Sequence, residues 1–318
     1  MFWTVQVSAL LAFAVPFTWG MLALWAVSHF LRAIGLTLCF HRYFAHRAFQ
    51  MNRGVRFFWT FVATAAMQKG PLWWAGHHVN HHKYADRDGD PHSPAVSGVY
   101  YAHIGWFLND ARYDKIEASN PVIRDFSKTT APEIVWLDRC YFAPPVMLAA
   151  AMYYIGGLQW LVWGFCVPTV TLAHATFAIN TVNHMFGSRR FVTPDESRNN
   201  LFTAIMAAGE GWHNNHHRYQ RAARNGFYWW EVDLTWYTIR AMQALGLAWD
   251  LQPVPARIYA EARLQSRAES RRAIIGRASS RSEAARANDQ SPRAGRRGYE
   301  PGAEPRVREA ADRRSASA

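Results

Sequence analysis

The sequence predicts an all-α, membrane-embedded protein: four transmembrane helices in two hairpins, a cytoplasmic helical cap carrying histidine boxes, and interfacial helices beside it. Three observations carry that prediction. Two long apolar blocks, Met1 to Phe40 and Cys140 to Ser188, contain between them one charged side chain, Arg32. The stretch separating them, His41 to Arg139, holds 12 Lys and Arg. Eight of the 14 histidines fall in three short boxes outside those blocks.

A helix needs about 20 apolar residues to cross the hydrocarbon, with about 17 a practical minimum. Blocks of 40 and 49 residues each accommodate two spans. The spans are expected at about 1–18, 20–40, 140–156 and 158–182, with turns at Pro16–Gly20 and Gly156–Gly157. No basic region precedes the first apolar run and no small-residue cleavage site follows it, so it reads as a retained span and not a signal peptide. Because the turns carry no charge and the intervening segments are basic, the positive-inside rule puts both termini and the central segment in the cytoplasm. A further apolar stretch, Phe57 to Trp74, is interrupted at Gln68-Lys-Gly-Pro71. It reads as an interfacial helix with Trp59, Trp73 and Trp74 as belt residues, and Leu201 to Ala208 reads the same way.

Half the residues are hydrophobic and 15% are aromatic, which argues against nucleic-acid binding despite a net charge of +12. Residues 255–318 supply +7 of that charge, from 15 Arg against 8 acidic residues. Two regions follow: a membrane domain over 1–254 and a basic tail over 255–318, whose composition predicts disorder. Cys39, Cys140 and Cys166 lie far apart in apolar stretches and read as buried thiols, with no disulfide framework.

The boxes are His41-Arg-Tyr-Phe-Ala-His46, His78-Val-Asn-His81-His82 and His213-Asn-Asn-His216-His217. The last two share the pattern HxxHH, 135 positions apart. Positions i, i+3 and i+4 project from one helical face, so each HxxHH is expected to aim three imidazoles at one point. The five-residue spacing of the first box does not share an α-helical face as neatly, and that box is placed across the end of the second span. His184 closes the second apolar block, so nine histidines converge at the cytoplasmic helix ends. One structural zinc is satisfied by four ligands, so nine imply two metals or a great surplus of ligands. Imidazole suits iron, copper, zinc or nickel, and spacing alone does not choose among them. His29 and His174 read as cross-helix hydrogen-bonding groups. His92 and His103 read as partners of the ligands, and His77 competes as a ligand. Asp86-Arg-Asp88-Gly-Asp90-Pro reads as a turn, because it lacks the later Glu and the glycine position of a calcium loop.

At these residues the chain resembles the membrane-bound fatty-acyl desaturases, specifically the delta-9, stearoyl-CoA desaturase-like class of bacterial type. The matching runs are Gly35-Leu-Thr-Leu-Cys-Phe-His41-Arg with His46, His78-x-x-His81-His82-Lys, Gly89-Asp-Pro-His92-Ser-Pro and His103-Ile-Gly-Trp106. Asn180-x-x-x-His184-x-Phe-Gly, Gly209-Glu-Gly-Trp212-His213-Asn-Asn-His216-His217 and Trp230-Glu-Val-Asp233 complete the set. The resemblance covers about residues 20–252. It implies a di-iron (Fe2+) centre that uses O2 and two electrons to place a cis double bond, at the delta-9 position, in a saturated acyl chain. It implies metal ligation by His41, His46, His78, His81, His82, His184, His213, His216 and His217. Asn180 would reach a metal through water, with His92, His103 and Trp212 supporting the ligands. The chain departs from the class at Val79, where Arg is usual, and at Gly76 and Asn109-Asp-Ala111, where animal members carry basic residues. The acyl carrier is therefore CoA, acyl carrier protein or a membrane lipid. No His-Pro-Gly-Gly haem motif occurs, which implies a separate electron donor, a ferredoxin or a small cytochrome with its reductase. The implied location is a bacterial inner membrane with a cytoplasmic active site. A membrane hydroxylase or alkane monooxygenase shares the histidines but tends to carry Glu inside its boxes. A non-enzymatic metal- or haem-binding membrane protein would instead space histidines through the spans.

Overall fold

The computed structural model describes residues 2–109 and 131–267. It is mostly helical, with one antiparallel pair of two-residue strands, β1 (Gln50–Met51) and β2 (Ala248–Trp249). Helix α1 (Phe2–Ser8) continues as a 3-10 turn over Ala9–Phe13. The chain then reverses, and Thr18 opens α2 (Trp19–Gly35) by accepting the Met21 N–H at 3.2 Å. A π-helix over Leu36–Ala45 carries α2 onward without a break. The second apolar block forms α6 (Ala143–Leu161), a π-helix over Val162–Cys166, and α7 (Val167–Met185). That block folds back on itself at Gly156–Gly157. Gly157 sits at φ 64°, ψ −154°, a conformation open to glycine. Across the turn Gly164 packs so closely on Met152 that a Cβ there would lie 2.6 Å from the sulfur.

Both expected turns are thus present, and they lie side by side, since Gln159 Nε2 donates to the Pro16 carbonyl at 2.8 Å. Two helical segments, Trp19–Ala45 and Ala143–Met185, are long and apolar enough to cross a membrane. Phe2–Phe13 is apolar but shorter than the hydrocarbon requires. It packs against the return limb, 162–185. The few polar groups inside these helices bond across them: Ser28 Oγ to the Gly164 carbonyl (2.5 Å), His29 between Thr171 Oγ1 (3.0 Å) and the Met206 carbonyl (2.9 Å). Buried Arg32 donates to Thr169 Oγ1 (2.6 Å) and to the Ala65 carbonyl. These partners offset the cost of polar groups in an apolar layer.

Helix α3 (Arg53–Thr64), capped by Asn52, packs on α2 and its π-helical continuation, and α4 (Pro71–Tyr84) follows a break at 65–70. The break falls where the sequence placed it. The expected aromatic belt does not form as drawn: Phe57 and Phe58 face outward, but Trp73 and Trp74 turn inward onto the histidines of α4. Helix α5 (Pro132–Arg139) contributes Asp138, whose Oδ1 accepts the Leu72 and Trp73 N–H groups at the start of α4 (2.8 and 3.1 Å). Gly70 is required there, because a Cβ would lie 2.7 Å from the Asp138 Cα. Short helices α8 (Leu201–Met206) and α9 (His213–Arg218) and the longer α10 (Leu234–Ala244) complete the cap.

The expected boundary at 254/255 is corrected. Residues 256–267 form a further helix, α11, whose buried Ile258 and Ala262 pack with Phe191 and Phe227, and Arg218 pairs with Glu261. The expected disorder of the tail beyond 267 falls outside the described residues, as do Asp110 and Ala111.

Candidate metal centre

Local geometry delivers the histidines. In the π-helix over Leu36–Ala45 the repeat is i to i+5, and the His46 N–H bonds to the His41 carbonyl at 3.1 Å. The five-residue spacing that does not suit an α-helix therefore brings His41 and His46 edge to face, with ring centroids 4.7 Å apart. The third box sits on α9, only six residues long, and its two asparagines anchor it. Asn214 exchanges hydrogen bonds with the backbone of Phe191, and Asn215 donates to the Asn225 carbonyl and to Glu231. Asn199 Oδ1 accepts from both of their N–H groups.

All nine expected histidines come together, in two adjoining clusters. His41, His46, His78, His82 and His216 form one, and His81, His184, His213 and His217 form the other. In each, the candidate ligand atoms lie within 4.8 Å of one another. His82 and His217 bridge the clusters, their ring centroids 4.6 Å apart. Each HxxHH does not aim three rings at one point, as the sequence reading expected. The i, i+4 pairs stay together (78 with 82, 213 with 217), while His81 and His216 cross into the opposite cluster. Positions i+3 and i+4 lie about 100° apart around a helix of 3.6 residues per turn, so two facing helices can interlock their boxes.

The Nε2 atoms face inward. The contacts in the first cluster are His41–His216 (3.0 Å), His46–His78, His78–His82 and His82–His216 (each 2.9 Å). In the second they are His184–His213 (3.0 Å) and His81–His217 (3.3 Å). For imidazole–metal bonds of about 2.0–2.1 Å, adjacent donors in octahedral or tetrahedral arrangements stand roughly 2.9–3.4 Å apart. The spacing therefore fits a metal at each cluster.

Carboxylates stand behind the rings, and the sequence reading missed them. His184 Nδ1 donates to Asp86 (2.8 Å), His217 Nδ1 to Asp195 (2.9 Å), and His81 Nδ1 to both oxygens of Asp90 (3.0 Å). His41 Nδ1 lies 2.6 Å from Glu210 Oε2, a contact not aligned as a hydrogen bond. A proton held on Nδ1 leaves the Nε2 lone pair free for a metal. Burial, reinforced by neighbouring rings, holds His78, His82, His213 and His216 well below the usual histidine range, and His217 at about 4. Burial lowers His81 too, but Asp90 outweighs it and raises that ring. Burial would raise Asp86, yet the hydrogen bond from His184 brings it to about 2. Asp86 and Asp90 lie in the segment expected to be only a turn. Their position just after the second box was the available signal, as was the adjacency of Glu210 to the third; Asp195 had none.

The other expected residues fall as follows. Asn180 lines a 50 Å³ cavity with His41, His78, His81 and His213. His92 stacks on His81 with centroids 4.5 Å apart, so it supports a candidate ligand. His103 instead bonds to His174 and Thr181, and Trp212 Nε1 donates to the Val232 carbonyl; among the described residues neither side chain bonds to an imidazole of the nine, although the Trp212 carbonyl accepts the His216 N–H at 3.1 Å. His77 stacks on Trp73 and lies in neither cluster. A second cavity of 40 Å³ shares Trp74, His78, His92, Thr176 and Asn180 with the first and adds Trp106 and Phe177. Phe177 also borders a larger, apolar cavity of 230 Å³.

Comparison with known proteins agrees with this arrangement. The sequence model of the fatty acid desaturase family matches residues 17–251. The icosanoyl-CoA 5-desaturase of Limnanthes douglasii is 39% identical over 251 residues, covering 77% of this chain and 69% of that protein. The sn-1 stearoyl-lipid 9-desaturase of Anabaena variabilis is 36% identical over 249 residues, covering 77% and 89%. Acyl-CoA 5-desaturase AL21 of Anemone leveillei is 38% identical over 254 residues, covering 78% and 77%. With its clustered histidines and a family match over most of its length, this chain belongs to the fatty acid desaturase family.

Proposed function

We propose that this chain introduces a cis double bond, at the delta-9 position, into a saturated acyl chain, and that its nine clustered histidines hold two iron ions. The observation that carries the reading is the pair of adjoining all-imidazole clusters beside two small cavities with shared lining residues, the second of which shares Phe177 with a larger apolar cavity. Bound there, iron would supply the oxygen activation that removal of two hydrogens requires. The protein's own part is positional. Asp86, Asp90 and Asp195 orient rings, and Asn180 faces the cavity shared by both clusters. Trp74, Trp106 and Phe177 line the next cavity and keep water from the acyl chain. Gln68 Nε2 donates to Thr176 Oγ1 at 2.7 Å and fixes the wall between them.

Relatives named for acyl-CoA and for acyl-lipid substrates support either carrier. The 9-desaturase relative, matched over 89% of its length, supports delta-9. Electrons come from a separate donor, a ferredoxin or a small cytochrome. The chain crosses the bilayer four times, with both termini and the metal centre cytoplasmic. The adjacent turns at Pro16 and Gln159 support this, since His41 and His184 lie toward the opposite helix ends. Iron content and lipid profiles of cells expressing the protein, His82→Ala or His217→Ala test the reading. The expected result is two irons per chain and new unsaturated acyl chains, with both falling sharply in each variant. Near-normal desaturation in either variant would remove that cluster from the assignment, and an alcohol product would make the chain a hydroxylase.

A further inference from the structure

We infer that the two metal sites are unequal: the four-histidine cluster is the tighter and fills first, with Asp86 and Asp195 as the positioning residues that make it so. This rests on the two-metal reading above and concerns how the sites differ.

The difference lies behind the rings. In the four-histidine cluster, three of four imidazoles donate Nδ1–H to a buried aspartate: His81 to Asp90, His184 to Asp86, His217 to Asp195. Each such bond places the proton on Nδ1, points the Nε2 lone pair inward and makes the ring a stronger donor. Among the described residues of the five-histidine cluster only His41 has a carboxylate nearby, and its contact with Glu210 is not aligned as a hydrogen bond. Among the described residues the Nδ1 atoms of His82 and His216 are buried without an acceptor. One of those two rings is therefore free to carry its proton on Nε2 and donate to the other, where their Nε2 atoms meet at 2.9 Å. A metal entering there requires that proton to move to an Nδ1 without an acceptor.

Charge runs the same way. Asp86 is met by His184, the Ser93 hydroxyl and the Glu196 N–H; Asp195 by His217 and the Ser197 N–H. None of these brings a permanent positive charge. Glu210, by contrast, is held by the guanidinium of Arg42 at 3.1 Å. Among the described residues Asp86 and Asp195 therefore act on the four-histidine cluster without a permanent positive partner, whereas Glu210 behind the five-histidine cluster is neutralised. A carboxylate behind a ligating histidine is typically worth about 10–100-fold in metal affinity. Three such partners against one misaligned partner outweigh a single additional imidazole.

The test is a metal titration of the full-length protein, purified in detergent and stripped with a chelator. Co(II) serves as the probe, because its visible absorption reports each coordination event and total metal is counted independently. Two equivalents are expected, the first bound at least roughly tenfold more tightly than the second. His184→Ala should lose the tight step and keep the weak one, and His82→Ala the reverse. Asp195→Asn, which preserves shape, should weaken the first step by about 10–100-fold and leave the second unchanged. A general loss of packing would move both steps together. Equal affinities, a tight equivalent that survives His184→Ala and disappears in His82→Ala, or an unchanged first step in Asp195→Asn would each overturn the inference. Failure of the unaltered protein to bind two equivalents would overturn the two-metal reading along with it.

Discussion

Removing Arg42 should unfold the cap from within. Its guanidinium is 1% exposed and donates to both oxygens of Asp233 (2.9 and 3.0 Å), to Glu210 (3.1 Å) and to the Ala223 carbonyl (3.0 Å). Asp233 is fully buried and also accepts the Asn225, Gly226 and Trp236 N–H groups, so it joins α10 to the loop before it. Arg42→Met therefore strands two carboxylates, one of them beside His41. Removing one partner of a buried ion pair typically costs about 3–5 kcal/mol. At roughly 2–4 °C per kcal/mol for a chain of this size, the melting temperature in detergent should fall by about 6–20 °C. If the stranded charge is the cause, Arg42→Met combined with Asp233→Asn should recover part of the loss. A fall of less than about 2 °C for Arg42→Met, or a double variant less stable than the single, would refute the reasoning.

Two further outcomes follow from the same structure. His217 titrates at about 4 when folded, against an ordinary value of 6.5, and Asp86 at about 2 against 3.8. A buried ring held neutral favours the folded state fully above pH 6.5 and loses that contribution as pH falls toward 4; the aspartate's is lost from about 3.8 down to 2. Thermal unfolding of the metal-free protein should therefore show stability dropping between pH 6.5 and 4, and a flat profile there would contradict it. A chain ending at Val254 should be destabilised by about 2–5 kcal/mol, because it loses Ile258 and Ala262 from their contact with Phe191 and Phe227. A chain ending at Arg267 should match the full-length protein in the same melting assay.

Much of the architecture was legible in order along the chain. Apolar block lengths located the helices, uncharged Pro and Gly positions located both turns, and the break at Gln68–Pro71 separated α3 from α4. The nine histidines were legible because ligand spacing is a local property: residues three or four apart on a helix are neighbours wherever that helix is placed. Local rules also set the limits. The first box was expected to share an α-helical face less neatly, yet the π-helix supplies a face for a spacing of five. Helix type here depends on how α2 packs at its end, which no short-range signal encodes. The division of each HxxHH between two clusters depends on two helices 135 residues apart facing each other. The docked helix at 256–267 looked like tail because its apolar residues are few, and packing on Phe191 and Phe227, with the Arg218–Glu261 pair, holds it.

By itself, then, the sequence determined which residue types could bind metal, how many, and that they lie at the ends of apolar helices. Tertiary structure decided which histidine joins which cluster and which carboxylate stands behind it. Asp86 and Asp90 share one loop while Asp195 and Glu210 come from two others, and each is 8% exposed or less, or, for Asp86, largely covered by His184 and Ser93. A carboxylate's effect on an imidazole depends on a hydrogen bond about 3 Å long, and that distance is set by how loops far apart in the chain pack, not by spacing along it.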